Sequence, residues 1–522
     1  MTVRKVVDIS DRLNIWFKKT FGEDAKRKVL EAKSPTFCPY PFMHLVINNS
    51  GGYSQCCEAS QEIYKTTDGE LVTNDLFSSD VTDNVTHGAT LQEVFYGEHI
   101  DSVRQQLVAG EKPKSCSRCW ANEARSFHSA RKSSIDRYIL ENNEFRYDVK
   151  DIIKNPQIRS LDLKFSNKCN LYCVMCNSGN SDQWEKQDKK IIKYLKKAVD
   201  VDPLNSGQSS LKWDDIVRPG HETRYGTDNY KMPAFSPKLF EEIKSLVPRL
   251  HEIQVTGGEP FISKEFITLL KYIIRTGHAN HITLEITTNG TKFVTDVMEL
   301  LIHFRHVRFE ISIDGSGDAY DYVRPPFTYE LLLERLQFLN QYIESGKLSA
   351  EIEIVSLAMV YNLFSFSQLD YDIRDCLNIR SLGRKTSNIT PMLNEGEDRL
   401  LIKWLPKEIL IEALYEYIEN SFGTSYPGDI PELQDLLNRV LDGTDVYINF
   451  NWIKALVSYI RDDVDEDIAA TKHRELKNYT VLMDKIQNRK YRDYLHPRIA
   501  DFLDSIDADL ADAISIGPHR CK

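Results

Sequence analysis

Long apolar runs are missing from this 522-residue chain. Nowhere do the roughly 18–20 uninterrupted apolar residues of a membrane-spanning helix follow one another. The opening stretch, MTVRKVVDISDRLNIW, lacks the apolar core of a secretory signal, and acidic residues arrive early. The expected setting is therefore the cytoplasm. Positive charge in excess is missing too: the formal net charge of -11 argues against general affinity for a nucleic-acid backbone. A local basic pocket stays possible. No repeat is visible after about residue 395, and cysteine is scarce, with 10 in the whole chain. In a reducing compartment such cysteines, where they cluster, point to metal or redox chemistry rather than to disulfides.

What is present is otherwise ordinary for a globular protein, with 41% hydrophobic and 27% charged residues. The length allows two to four domains. Residues 1–150 are expected to form a small, turn-rich module holding Cys38, Cys56, Cys57, Cys116 and Cys119. Within it MHLVINNSGGYSQCC reads as a hairpin around a Gly-Gly turn, and LQEVFYGEHIDSVRQQLVAG as helix ending at Gly110. Residues 151–395 alternate strand and helix: IRSLDLKF, EIQVTGG then KEFITLLKYIIRTG, ITLEITTNG then VTDVMELLIHF, VRFEISIDG then YELLLERLQFLNQYIESG, and AEIEIVSLAMV. Five or six such units predict an α/β fold with a parallel sheet closed into a partial (β/α)6 barrel of TIM type. Residues 396–522 read as a helical, covering extension, with helices at LPKEILIEALYEYIEN, ELQDLLNRVLDG and NWIKALVSYIRDDV.

In KCNLYCVMCN, residues 168–177, three cysteines fall within eight positions. On a helix Cys169, Cys173 and Cys176 would share one face and could be core side chains. The preceding FSN favours a loop instead. A structural zinc site needs four ligands, so zinc would require a partner from elsewhere. Iron–sulfur clusters are normally held by four thiolates, and three thiolates on a four-iron cube leave one iron open to a ligand.

CNLYCVMC resembles the CxxxCxxC loop of the radical S-adenosylmethionine (SAM) superfamily, and VTGGEP is similar to that superfamily's methionine-contact loop. The resemblance spans about residues 158–390. It implies that Cys169, Cys173 and Cys176 hold a [4Fe-4S] cluster whose open iron binds SAM. Electron transfer would then yield a 5′-deoxyadenosyl radical that abstracts a substrate hydrogen. One departure is Met175, where the family usually has an aromatic residue. Gly257 and Gly258 permit close backbone approach, and Glu259 can accept from an ammonium group. By resemblance Asn289, Ser312 and Asp314 face SAM or the substrate, and Arg324 pairs with the SAM carboxylate.

The cysteines of residues 1–150 resemble the auxiliary-cluster modules called twitch or SPASM, placed here before the barrel rather than after it. That resemblance implies a second iron–sulfur cluster on Cys38, Cys56, Cys116 and Cys119, with a zinc knuckle as the alternative. Cys57 competes with Cys56, and strand alternation lets one of them serve. Arg125, His128 and Arg131 would contact an anionic substrate group or form a solvated helix face. The expected function is a radical SAM oxidoreductase acting on a peptide or protein side chain, served by a flavodoxin- or ferredoxin-like reductant. Oxidation or rearrangement of a small polar metabolite is the alternative, and a non-enzymatic iron–sulfur or zinc scaffold is the third.

Overall fold

A computed structural model describes residues 35–48, 52–66, 68–75, 85–86, 89–124, 129–141, 144–145, 148–198, 236–377, 388–391, 395–422 and 450–507. The helix expected at 432–443 and residues Arg125, His128 and Cys521 lie outside them.

Strands come in chain order as β1 (His44–Ile47), β2 (Tyr53–Ser54), β3 (Gln61–Thr66), β4 (Leu71–Asp75) and β5 (Val85–Thr86), then a separate pair, β6 (Leu140–Glu141) and β7 (Glu144–Phe145). The parallel series follows: β8 (Ser160–Lys164), β9 (Glu252–Thr256), β10 (Thr283–Thr288), β11 (His306–Ser312), β12 (Ala350–Ala358) and β13 (Asn388–Pro391). These six strands are those of the expected partial barrel. Their outward rows, such as Val307, Phe309 and Ile311 of β11, are fully buried. The alternate row faces the lumen and is polar, with Arg308, Glu310 and Ser312 partly exposed. Apolar and polar residues alternate because the helices cover one face and the lumen is wet.

The helix Lys264–Arg275 shows how the outer layer forms. Ser263 caps it by accepting from the Phe266 N–H, and Phe266, Leu269, Leu270 and Ile273 are buried along one stripe. Each such side chain contributes about 1.5–3 kcal/mol. Gly277, with φ +77°, lies just past its end.

Sequence pattern placed the hairpin β1–β2 in a module of its own. The register Val46↔Ser54 and Ile47↔Tyr53 confirms the antiparallel pairing, but β1 also pairs in parallel with β8, His44 opposite Ser160. The cysteine-rich region therefore supplies a seventh parallel strand to the barrel sheet. A second tie is the segment 130–139, which enters the strand-start end of the lumen. There Tyr138 donates to Glu252 (2.5 Å), and Arg137 pairs with Glu285 (2.8 Å) and Glu252 (3.7 Å). The helices Lys407–Phe422, Phe450–Arg461 and Glu466–Gln487 make up most of the described C-terminal region. Among the described residues no helix is long and apolar enough to cross a membrane.

Candidate functional site

Loops at the C-terminal ends of β8, β9, β10 and β11 meet on one rim. The loop after β8 is not helical: residues 165–181 run as coil and turn, so the helical-face alternative does not apply to the triplet. Its backbone is gripped from several sides. Cys169 N–H donates to Asp182 Oδ1 (3.0 Å), Tyr172 N–H to Pro325 O (2.9 Å) and Val174 N–H to Val323 O (2.9 Å). Its carbonyls accept from Ser181 Oγ at Leu171 (2.6 Å), Trp184 Nε1 at Cys173 (3.0 Å) and Tyr479 Oη at Val174 (2.7 Å). The main chain is held in this way, and the thiols are the soft donors that the loop presents.

Burial pushes the Cys169 and Cys173 thiols up to about 12, and each is raised further by a neighbouring cysteine of the triplet. Ionising them together therefore needs a compensating cation, and a thiolate-bound iron cluster supplies one. Donor set and surroundings fit that group.

The loop after β9 packs directly on the cysteine loop. Gly257 and Gly258 have φ of +78° and +49°, and a Cβ at Gly258 would overlap the carbonyl oxygen of Lys168. Glu259 N–H donates to that same oxygen at 2.8 Å. The Glu259 side chain turns inward and is 1% exposed. It accepts from Thr288 Oγ1 (2.8 Å), Asn289 N–H (2.9 Å) and Phe261 N–H (3.3 Å), and burial raises its carboxyl to about 7. In this conformation Glu259 ties the β9 loop to the β10 loop.

Asn289 reaches the triplet, its Nδ2 lying 3.7 Å from Cys169 Sγ and 3.0 Å from Asn170 Oδ1, while Oδ1 accepts from Thr291. Ser312 ends β11, opposite Val355 of β12. Asp314 and Arg324, each assigned by resemblance to SAM or substrate, are buried and bind each other at 2.6 and 2.8 Å. Asp314 also accepts from Leu357 N–H (2.7 Å), and Arg324 Nη1 stands 3.9 Å from Cys173 Sγ. The guanidinium favours the Cys173 thiolate.

A second gathering lies in the N-terminal region. Cys38, Cys56, Cys116 and Cys119 line one small cavity together with Trp120 and Arg131. Cys56 and Cys57 follow β2 in a turn rather than lying on the strand, and Cys56 is the one that lines the cavity. Burial and neighbouring cysteines push the Cys38 thiol up to about 12, and burial with nearby acidic groups and Cys116 takes Cys119 to about 11. Among the described residues the buried indole N–H of Trp120 lacks a hydrogen-bond partner. Four thiols and an orphan donor fit an electron-rich sulfide cluster. Among the described residues no three His, Cys, Asp or Glu side chains are arranged to hold a single metal ion. Arg131 is buried and forked onto Glu123 (2.9 and 2.7 Å), so it neither contacts substrate nor forms a solvated face. Cys57 is exposed and does not line the cavity.

Several supporting groups escaped the sequence pattern. Asp182 opens the helix Asp182–Ala198 in SDQWEK, and an acidic residue in a first turn is an N-terminal signal that could have marked it. Tyr479 lies 305 residues from Val174, and no local signal connects the two.

Residues 228–354 match the family model for the radical SAM superfamily. Among solved structures, Streptococcus suis SuiB bound to precursor peptide SuiA is similar at 11% identity and a TM-score of 0.29, over 64% of this chain and 61% of that one. SuiB bound to S-adenosylmethionine gives 11% and 0.29, over 74% and 69%. Native anSMEcpe with bound AdoMet gives 13% and 0.30, over 67% and 100%. The chain thus spans 61% of the SuiB chain in its peptide complex. A comparison with curated proteins produced no match.

Proposed function

We propose that the chain, whose residues 228–354 match the radical SAM superfamily model, is an iron–sulfur, SAM-dependent enzyme that abstracts a hydrogen from a peptide or protein side chain. Cys169, Cys173 and Cys176 would hold a [4Fe-4S] cluster, and that group would supply the one-electron reduction that SAM chemistry needs. The residues of the chain provide the setting. Arg324 sets positive charge against Cys173, Asn289 donates toward Cys169, and the glycines of the β9 loop let its backbone approach a ligand. Glu259 acts by locking two rim loops together. Ser312 lines the lumen toward the substrate.

The observation that carries this proposal is the convergence of four strand-end loops on the cysteine triplet. The N-terminal cavity supports a second, auxiliary iron–sulfur cluster on Cys38, Cys56, Cys116 and Cys119, and with it the twitch- or SPASM-like character that favours a peptide substrate. A small polar metabolite is the second reading. It is favoured by the charged lumen, where Asp162, Lys164 and Glu310 belong to the inward rows. In either case regions 1–150, 151–395 and 396–522 act as cluster module, barrel and cover, in the cytoplasm and with a flavodoxin- or ferredoxin-like reductant.

One experiment tests both cluster assignments. Anaerobically reconstituted protein should carry about eight irons per chain, from two four-iron clusters, and form 5′-deoxyadenosine from SAM and dithionite. Replacing Cys169, Cys173 and Cys176 by Ala should abolish that product and leave about half of the iron. Product formation by the triple variant would refute the mechanism. One zinc with four irons would refute the second cluster alone.

A further inference from the structure

Buried tyrosines in this chain find partners for their hydroxyls. Tyr322 donates to Asp484 (2.9 Å), and Tyr329, whose ring packs 5.5 Å from that of Tyr320, donates to Asp372 (2.9 Å). Tyr320 itself donates to nothing. Its side chain is completely buried, and it is the only tyrosine among the described residues whose buried Oη lacks a hydrogen-bond partner. An unpaired hydroxyl in the interior costs stability, so a site that keeps one calls for a reason.

The surroundings of this hydroxyl supply one. Tyr320 lies in the helix Gly317–Val323, whose end grips the cysteine loop: Val323 O accepts from Val174 N–H and Pro325 O from Tyr172 N–H, both at 2.9 Å. Burial raises the Tyr320 phenol, Arg324 opposes that, and Cys173, Asp314 and Asp321 add to it. The hydroxyl therefore stands among these four side chains. Three of them could accept a proton, and two are engaged. Asp314 accepts from Arg324 (2.6 Å) and from Leu357 N–H (2.7 Å), and Asp321 from Tyr329 N–H (2.7 Å). Cys173 is the third. Burial pushes its thiol up to about 12, and a protonated thiol is a weak acceptor. Bound to metal as a thiolate, it becomes a good one.

We propose that the Tyr320 hydroxyl donates to sulfur at the Cys173 corner of the cluster once the triplet holds iron, and thereby raises the cluster's reduction potential. Hydrogen bonds to cluster sulfurs draw off negative charge and make reduction easier. A phenol, ordinarily titrating near 10, keeps its proton for this at neutral pH. This role presupposes the cluster on Cys169, Cys173 and Cys176 proposed above.

Tyr320→Phe removes the hydroxyl and keeps the ring. In the iron-free protein its urea midpoint should equal or exceed the parent's, because no hydrogen bond is lost. A clear fall would show that the hydroxyl already has a partner, and the role would fail. In anaerobically reconstituted full-length protein without SAM, the triplet cluster is the EPR signal that replacing Cys169, Cys173 and Cys176 by Ala removes. Titrated with dithionite, that signal should appear at a more negative potential in Tyr320→Phe, with iron content unchanged. A tenfold loss in the one-electron equilibrium corresponds to a shift of about 59 mV. An unchanged potential overturns the role of Tyr320 and leaves the cluster standing. A shift that appears only after SAM is added overturns it too, by making SAM the acceptor. If the parent shows no signal that the triple variant removes, the cluster assignment falls, and the role of Tyr320 falls with it.

Discussion

Asp314 and Arg324 illustrate how far single side chains can be inferred from motifs. Both sit where strand-end residues meet a cofactor in the family that the sequence resembles, and both are buried against each other instead. The identity of these rim residues was legible from SIDG and YVRPP, whereas their pairing was not, because it depends on how the helix Gly317–Val323 carries the chain from position 314 to 324. Removing one partner of a buried pair leaves an uncompensated charge, which costs about 3–5 kcal/mol. Asp314→Ala should therefore lower the urea midpoint strongly even without SAM. An unchanged midpoint in the SAM-free protein would show that another anion holds Arg324.

Loops and strands were easier to foresee than contacts. Ile- and Val-rich runs followed by amphipathic helices located β8 to β12, since their periodicity changes from two to about 3.6. The strand β13 is only four residues long and gave no such signal. The pair Gly257-Gly258 was legible as a close approach, and the structure shows what is approached: the carbonyl of Lys168, one residue before the first cysteine of the triplet. Gly258→Ala must push these loops apart, and its φ of +49° adds strain of about 1 kcal/mol. The variant should keep its overall fold by circular dichroism, yet lose SAM affinity by about tenfold or more, measured by equilibrium dialysis. Parent-like affinity would mean that the β9 loop does not shape the SAM site.

The chain as a unit is tied together by contacts that no local pattern announces. His44 of β1 bonds Ser160 of β8 across 116 residues, and burial depresses its imidazole to about 3. An unfolded histidine titrates near 6.5, so the native state resists the proton that the unfolded state accepts. This contribution is intact above pH 6.5 and drains away as pH falls toward 3, a loss on the order of 5 kcal/mol. His44→Asn should flatten the fall in urea midpoint between pH 7.5 and 5, and a slope equal to the parent's would place the sensitivity elsewhere.

The pairing of β1 with β8 also sets a schedule for the newborn chain. At roughly 5–20 residues per second, Ser160 leaves the ribosome about 6–23 s after His44. Throughout that wait the edge of β1 that will meet β8 has no partner, and an open strand edge invites pairing with other chains. Cys38, Cys56, Cys116 and Cys119, by contrast, have all been synthesised before β8 exists. On the proposed cluster assignments, metal delivery to the N-terminal cavity would therefore begin during translation, while the triplet at residues 169–176 would wait for the barrel that surrounds it.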